Sequence, residues 1–317
     1  MENLIKKLPL PICGLMLGLA ALGNLVLSYG NIYRNVFGAL STIILILLTI
    51  KIILYPKAIG EDLKNPVIAS VCPTFSMGIM ILSTYIEPYA HNFALLTWVL
   101  GLSIHILLMA YFTKKFIFNF DIKKVFPSYF IVYVGIAAGS ISAPAFKLNT
   151  IGEYLFWFGF ISYIILLPIV LYRVFSVKGI PEPALPTIAI FTAPASLCLA
   201  GYVASFKDKN MTIIWFLLGL CLIMLLGVIL YLPKLLKLKF YPSYSAFTFP
   251  FVISSIALKQ TNKFLIGSGN TVSLLKSLVK FSEALAIILV IYVLIKYSIF
   301  LFNSKDIAKP TNVNKGI

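Results

Sequence analysis

Polar and apolar positions alternate along this chain in long blocks. Five times a proline begins a stretch rich in Gly, Ala, Ser and Thr, and a longer stretch of Ile, Leu and Phe follows it. These prolines are Pro11, Pro73, Pro127, Pro186 and Pro242, separated by 62, 54, 59 and 56 residues. Each interval holds two membrane-spanning helices of about 20 residues with their loops. The pattern therefore predicts ten helices arranged as five helical hairpins.

The predicted spans follow one another with short connections, so sequential helices are expected to pack as antiparallel neighbours. We place them at residues 9–28, 35–55, 67–85, 92–113, 126–145, 152–174, 184–205, 211–232, 242–260 and 275–302. Residues 1–302 are thus expected to form one transmembrane domain. Residues 303–317 are expected to form a polar cytoplasmic tail.

Composition agrees with this reading. The 317 residues are 60% hydrophobic and only 11% charged, with a mean hydropathy of +0.99, whereas soluble domains carry about 25% charged residues. The predicted fold class is therefore an all-α integral membrane protein with the lipid bilayer as its surroundings.

A net charge of +16 would suggest a nucleic-acid partner if the chain were soluble. When the loops are assigned to alternate sides of a membrane, however, 18 of the 26 Lys and Arg residues fall on the side of the two termini and 8 on the other. Cytoplasmic loops carry the excess of positive charge in membrane proteins. We therefore expect both termini in the cytoplasm, a location in the cell (inner or plasma) membrane, and no nucleic-acid partner.

Odd-numbered and even-numbered spans differ in chemistry. Even spans, such as 41-STIILILLTI-50, consist mainly of large aliphatic and aromatic residues, which suit contact with lipid. Odd spans, such as 186-PTIAIFTAPASLCLAGY-202, mix small and hydroxyl residues with scattered aromatics. Small residues let backbones approach closely and hydroxyls need partners, so the odd spans are expected inside the bundle.

Three residues mark equivalent depths in the odd spans. Pro194 and Pro250 each lie eight residues after the proline that begins their repeat, and Gly135 holds that position in the third repeat. A helix broken at mid-membrane depth is tolerated where it lines a cavity or is covered by protein. Such a break can present a second helix N-terminus, whose positive partial charge favours an anion. These residues are candidates for kinks or for the lining of a passage.

Ionisable groups are scarce in the odd spans, which carry Asp, Glu, Lys, Arg or His only near their ends. Coupled carriers often place such a group on their route, so their scarcity favours passive passage. Glu283 lies one turn from Lys280 and is expected to form a local ion pair with it. His105 is expected to be a hydrogen-bonded packing residue.

The sequence motifs do not indicate a cofactor or an enzyme. Cys13, Cys72, Cys198 and Cys221 lie singly in apolar runs and are expected to be small packing residues. With two histidines in the chain, no zinc, haem or iron–sulfur pattern can be assembled. We expect no metal and no cofactor. An enzyme acting on lipid would need clustered His, Asp or Glu at the interface, and the loops supply mostly lysine.

The segment 244-YSAFTFPF-251 resembles the aromatic-rich Tyr-Thr-Phe-Pro segment of the slow anion channels of plant guard cells. With five hairpins, prolines on odd spans and short loops, nearly the whole chain resembles the tellurite-resistance/dicarboxylate transporter family, which includes these channels and bacterial TehA. The chain departs from the plant members in lacking their long terminal regulatory segments. It also lacks a proline at the offset of eight in the third and fifth spans.

The resemblance implies a homotrimer in which each subunit has its own pore, formed by the odd helices and ringed by the even ones. It also implies that Phe249, directly before Pro250, plugs that pore. The expected function is a channel or facilitator for small anions such as chloride or nitrate, which would pass from a basic cytoplasmic mouth along a hydroxyl- and backbone-lined route to Phe249. The alternative is a proton-coupled transporter of dicarboxylates or oxyanions such as malate, tellurite or sulfite.

Overall fold

A computed structural model describes residues 2–302, and that range consists of helices joined by short connections, with no strand. The long helices are α1 (Ile12–Tyr29), α2 (Asn31–Leu54), α3 (Pro66–Ile86), α4 (His91–Ile117), α5 (Tyr129–Phe146), α6 (Asn149–Val177), α7 (Glu182–Ser205), α8 (Met211–Leu236), α9 (Pro242–Phe247 followed by Phe249–Gly267) and α10 (Ser273–Phe302). Short helices also form at Glu2–Lys7 and Pro56–Asp62. The predicted tail 303–317 lies outside the described residues.

The odd-numbered helices form a closed ring. Helix α1 packs on α3, α3 on α5, α5 on α7, α7 on α9, and α9 returns to α1. Each even-numbered helix packs on its hairpin partner and on the next helix of the ring. The five hairpins therefore build an inner ring of odd helices and an outer ring of even helices, which confirms the fold class predicted from sequence.

Burial separates the two rings. Between 72% and 83% of the spanning window is buried in α1, α3, α5 and α7, against 22% to 33% in the outer helices. Within residues 2–302, all the long helices except α9 are apolar enough along a continuous run to cross a membrane. Helix α9 is divided at Thr248 and carries Lys259 and Lys263 in its second half. With α9 included, residues 2–302 contain ten long helices.

Regular α-helix is interrupted in the inner ring at four places. Helix α3 is divided between Val71 and Thr74, and α5 contains a 3₁₀ turn at Val134–Ile136. Helix α7 is a 3₁₀ helix over Glu182–Thr192 before it becomes α-helical, and α9 breaks at Thr248. Proline contributes to three of these interruptions because it lacks an N–H and clashes with the preceding turn.

Proline alone does not decide where a helix breaks. Pro168 lies inside α6 and Pro233 inside α8, and both helices continue through them. Proline is therefore not confined to the inner ring, although the sequence pattern emphasises it there. Three of the four breaks occur where the chain combines proline with small and hydroxyl residues under cover of other helices, which can satisfy the freed backbone groups.

Candidate functional site

A central cavity lies inside the inner ring, among the N-terminal halves of its helices. Its lining includes Gly14 from α1, Met77 from α3, Gly135 from α5, Pro194 from α7 and Phe249 from α9, so all five inner helices contribute. The cavity offers about 30 Å³ to water, room for at most about two molecules. The ring of helices is therefore almost closed at this level.

A second cavity, of about 250 Å³, lies among the C-terminal halves of α1, α3, α5 and α9. Its wall contains the polar side chains of Asn24, Thr84, Ser142 and Gln260 among aliphatic ones. Phe249 lines both this cavity and the central one. Phe249, which is 5% exposed, is therefore a shared wall of two spaces within the inner ring.

The break in α9 sets the position of Phe249. Thr248 has φ −99° and ψ −91°, outside helical geometry, and the second half of the helix begins at Phe249 with Pro250 in its first turn. Proline suits that position because the first N–H groups of a helix have no intrahelical partner. The sequence predicted a kink at Pro250. The structure has a complete interruption just before it.

Helix α1 holds this break in place. The Thr248 hydroxyl lies 2.9 Å from the carbonyl oxygen of Gly14 and 2.7 Å from that of Ser245. A Cβ on Gly18 would lie 2.5 Å from the Thr248 Cβ and 3.1 Å from the Phe249 nitrogen. The Gly14-x-x-x-Gly18 pair therefore lets the backbone of α1 touch the interrupted segment. This pair was not singled out from sequence, although small residues spaced by four are a known signal for close helix contact.

The interruption in α7 lies beside the one in α9. The α-helical half begins at Ala193 with Pro194 in its first turn. The carbonyl oxygen of Thr192 accepts hydrogen bonds from Ser196 (2.6 Å) and from Ser254 of α9 (3.0 Å). Thr192 directly precedes the α-helical half, so its carbonyl also accepts the first bond of that helix. The two hydroxyls add further bonds to this carbonyl and join the two interrupted helices.

Gly135 lies at the 3₁₀ turn of α5, facing α3 and α4. A Cβ there would lie 2.8 Å from the Met77 sulfur and 3.1 Å from His105 Cε1. His105 Nε2 lies 3.1 Å from the carbonyl oxygen of Val132, and Nδ1 lies 3.0 Å from Ser76 Oγ. Because a carbonyl can only accept, Nε2 donates. His105 is buried and hydrogen-bonded, as predicted, and it joins outer helix α4 to two inner helices.

Thr74 and Ser245 line the central cavity, and the other residues of its wall carry no hydroxyl group. Thr74 Oγ1 lies 2.8 Å from the carbonyl oxygen of Val71 in its own helix, and Ser83 (2.7 Å) and Thr187 (2.6 Å) make the same kind of bond. The groups that border the cavity are mainly apolar, among them Phe130 and Ile190. The hydroxyl- and backbone-lined route therefore stays a prediction. Hydroxyls of the inner ring also bond to backbone carbonyls, an alternative use that Ser and Thr commonly have.

Glu283 pairs with a different lysine from the one expected. Its Oε1 lies 2.5 Å from Nζ of Lys259 on α9, and its Oε2 accepts a hydrogen bond of 3.0 Å from Tyr29 of α1. Lys259 also contacts the Leu25 carbonyl oxygen at 3.0 Å. The predicted partner Lys280 is exposed. Glu283 is buried and ties the outer helix α10 to α1 and α9, a contact between helices that local spacing does not reveal.

The second cavity widens towards this ion pair. A neighbouring space of about 290 Å³ is lined by Asn24, Ser28, Lys259 and Gln260. Arg34 approaches the same end of the bundle and donates to Asn24 Oδ1 at 2.9 Å and to the Thr84 carbonyl at 2.8 Å. This end of the space therefore carries polar and cationic side chains among aliphatic ones, whereas the central cavity is narrow and has no charged residue in its wall.

The four residues selected from sequence, Gly135, Pro194, Phe249 and Pro250, lie together around the central cavity. The residues that sequence analysis missed are Gly18 and Thr248, which hold the break, and the polar residues Asn24 and Gln260 of the second cavity. A Gly-x-x-x-Gly search would have found Gly18. Thr248 lies within the segment 244-YSAFTFPF-251, although no role was assigned to it. Asn24 and Gln260 carry no local signal.

Comparison with known proteins agrees with this architecture. The family model for voltage-dependent anion channels, SLAC1, matches residues 8–303. The chain is 28% identical over 256 residues to the uncharacterized transporter MJ0762 of Methanocaldococcus jannaschii, covering 71% of this chain and 72% of the relative. It is also 28% identical over 274 residues to MJ0576 of the same organism, covering 75% and 76% of the two chains.

Proposed function

The chain belongs to the SLAC1 family of voltage-dependent anion channels, and on that basis we propose that it is a passive channel for small anions, closed at rest by Phe249. The anions are small and monovalent, such as chloride or nitrate. The pore lies within one subunit and is formed by α1, α3, α5, α7 and α9. Gly135, Pro194 and Pro250 line the constriction at the level of the phenyl ring.

One observation carries this proposal, namely that Phe249 is a shared wall of the central cavity and the second cavity. Removing the ring would join the two spaces. With the ring in place, an anion would have to enter a narrow apolar space and lose water from its hydration shell. Dehydrating an ion without replacement ligands costs at least several kcal/mol. Closed is therefore the resting state.

The interrupted helices supply electrostatic support for an anion. The α-helical halves of α7 and α9 begin at Ala193 and Phe249, next to the central cavity. A helix N-terminus carries a partial positive charge. Two such termini favour an anion at the constriction without a fixed cation, which would hold it too tightly for rapid passage.

A proton-coupled carrier of dicarboxylates or oxyanions is the second candidate. The buried pair of Glu283 and Lys259 favours it, because an intramembrane carboxylate can serve as a proton site and Lys259 lines the wide end of the enclosed space. The two candidates differ in what drives flux. A channel carries current that follows the anion gradient, and a coupled carrier responds to a step in pH.

Location and assembly complete the proposal. The excess of Lys and Arg on the side of the termini supports cytoplasmic N- and C-termini in the cell membrane. The outer helices expose large apolar residues such as Leu107, Leu226 and Leu230, which lipid or neighbouring subunits would cover. We place the protein in the membrane as a homotrimer with one pore in each subunit.

The test is anion current in planar bilayers containing wild type, Phe249→Ala or Phe251→Ala. Phe251 is also buried, but it lines neither cavity, so it is the matched control. We expect Phe249→Ala to raise current at least about tenfold, since each 1.4 kcal/mol removed from a barrier gives a factor of ten. Phe251→Ala should leave current unchanged.

Anion identity and coupling are read from the same recordings. The reversal potential should follow the anion gradient and stay indifferent to pH. Current in folded Phe249→Ala protein that equals or falls below the wild-type value would refute the gate. Uptake driven by a pH step, without a current that follows the anion gradient, would favour the carrier.

A further inference from the structure

An apolar groove lies on the outside of the bundle, away from the central cavity. It is a groove of about 540 Å³ between the end of α6, the 3₁₀ half of α7 and the C-terminal half of α8. Its walls include Phe175, Ile188, Phe191, Met224 and Gly227. The volume lies within the range of about 300–1,000 Å³ that is usual for ligand pockets.

The local backbone creates this groove. Helix α6 ends in a wide π-helical turn at Arg173–Val177, and Arg173 closes that turn through a hydrogen bond from Nη1 to the Lys178 carbonyl oxygen. Helix α7 then begins as a 3₁₀ helix, which is thinner than an α-helix. On α8, Gly227 contributes no side chain, and a Cβ built there meets no atom within 4 Å. The three helices therefore separate instead of closing on one another.

The groove opens to the surroundings of the outer ring. Phe175 and Ile223 on its walls are 67% and 64% exposed. In a membrane protein this surface faces hydrocarbon, and an apolar groove there accepts an acyl chain without any cost of desolvating polar groups. At its inner end lies Phe191. The centroid of its ring is 5.8 Å from the ring centroid of Phe130, a residue that lines the central cavity.

Positive charge lies at the mouth of the groove. Lys178 forms part of its lining. Lys234 lies with its ammonium 5.5 Å from the ring centroid of Tyr231, which also lines the groove. Both lysines are exposed, so neither ammonium group is neutralised in a buried ion pair. Basic residues beside an apolar groove at a membrane surface match a lipid with an anionic headgroup.

We propose that this groove binds one acyl chain of an anionic phospholipid, whose phosphate lies between Lys178 and Lys234. The apolar walls determine that the ligand is a lipid chain, and the two lysines determine that its headgroup is anionic. A second copy has 26 Lys and Arg against 10 Asp and Glu, so it matches two exposed lysines less well than an anionic headgroup does.

The experiment measures thermal unfolding of delipidated full-length protein in detergent, titrated with phosphatidylglycerol or with phosphatidylcholine of the same chains. A ligand that binds only the folded state raises the unfolding temperature in a saturable manner. We expect phosphatidylglycerol to raise it more than phosphatidylcholine. Lys178→Gln combined with Lys234→Gln should reduce the phosphatidylglycerol effect to that of phosphatidylcholine.

Two glycines of α8 provide a matched pair of variants. Gly227→Leu fills the groove and should abolish the saturable shift with either lipid. Gly219→Leu adds the same side chain to the same helix, also with no atom within 4 Å of its Cβ, and it lies outside the groove, so the shift should persist.

Equal shifts for Gly227→Leu and wild type would overturn the proposal. So would equal effects of the two lipids on wild type, or a shift that depends on protein concentration, which would indicate a second copy in the groove. If Gly227→Leu fails to fold, the proposal is tested by the shift in unfolding temperature of the Lys178→Gln/Lys234→Gln protein with each lipid.

Discussion

The inner and outer rings each contain five long helices, but their backbones differ. The outer helices run without a break through two internal prolines, while four of the five inner helices are interrupted. In hydrocarbon, a backbone group without a partner costs several kcal/mol. The inner helices tolerate interruptions because other helices surround them and their own hydroxyl groups bond to backbone carbonyls beside the interruptions. Irregular backbone is thus placed where it encloses space and kept away from lipid.

The sharpest test of this difference is the same substitution made in each ring. Gly18→Ala places a Cβ 2.5 Å from the Thr248 Cβ, so α1 must move away from the break in α9. We expect a loss of about 3 kcal/mol in the free energy of unfolding, at the upper end for overpacking. Reversible unfolding in mixed detergent micelles measures it. A loss below about 0.5 kcal/mol would mean that the two helices do not meet there.

An ion pair joins the rings and tests whether the outer helices only shield the inner ones. Glu283→Gln leaves the Lys259 ammonium with the Leu25 carbonyl and Ser28 hydroxyl as partners. We expect a loss of about 2 kcal/mol, less than for a fully buried pair because Lys259 is partly exposed. Lys280→Gln is the control and should change stability little. An equal loss in both variants would favour the local pair expected from sequence.

The smallest effect is expected on the outer ring. Gly219→Ala in α8 adds a methyl group that meets no atom within 4 Å. Alanine has a higher helix propensity than glycine, so stability should rise by up to about 1 kcal/mol. The same unfolding measurement compares it directly with Gly18→Ala. A loss as large as that of Gly18→Ala would remove the distinction between the rings.

The ring arrangement could be predicted from sequence because it depends on composition averaged over whole helices. Small and hydroxyl residues mark the odd spans, large aliphatic ones mark the even spans, and the repeat of prolines sets the hairpins. These signals are local and repeated, so errors of a few residues at helix ends did not matter. The equivalence of Gly135, Pro194 and Pro250 in depth followed from the same repeat.

The details of the site depend on contacts between distant segments. Glu283 and Lys259 are 24 residues apart, and Tyr29 comes from the other end of the chain. Spacing along one helix pointed to Lys280 instead. The hydrogen bonds from Ser and Thr to backbone carbonyls were also not predicted. Composition shows that hydroxyl groups need partners, but it does not show whether a backbone carbonyl or a cavity provides them.

The central structural claim is that Phe249 separates two spaces enclosed by the inner ring. It is tested by introducing Ala246→Cys on the central cavity and Ile256→Cys on the second cavity, in protein whose four native cysteines are replaced by alanine. A membrane-impermeant charged thiol reagent is added on the side of the α1–α2 connection. We predict that Ile256→Cys reacts and that Ala246→Cys reacts only when Phe249→Ala is also present. Equal reaction of Ala246→Cys with Phe249 in place, or continued protection after its removal, would contradict the account.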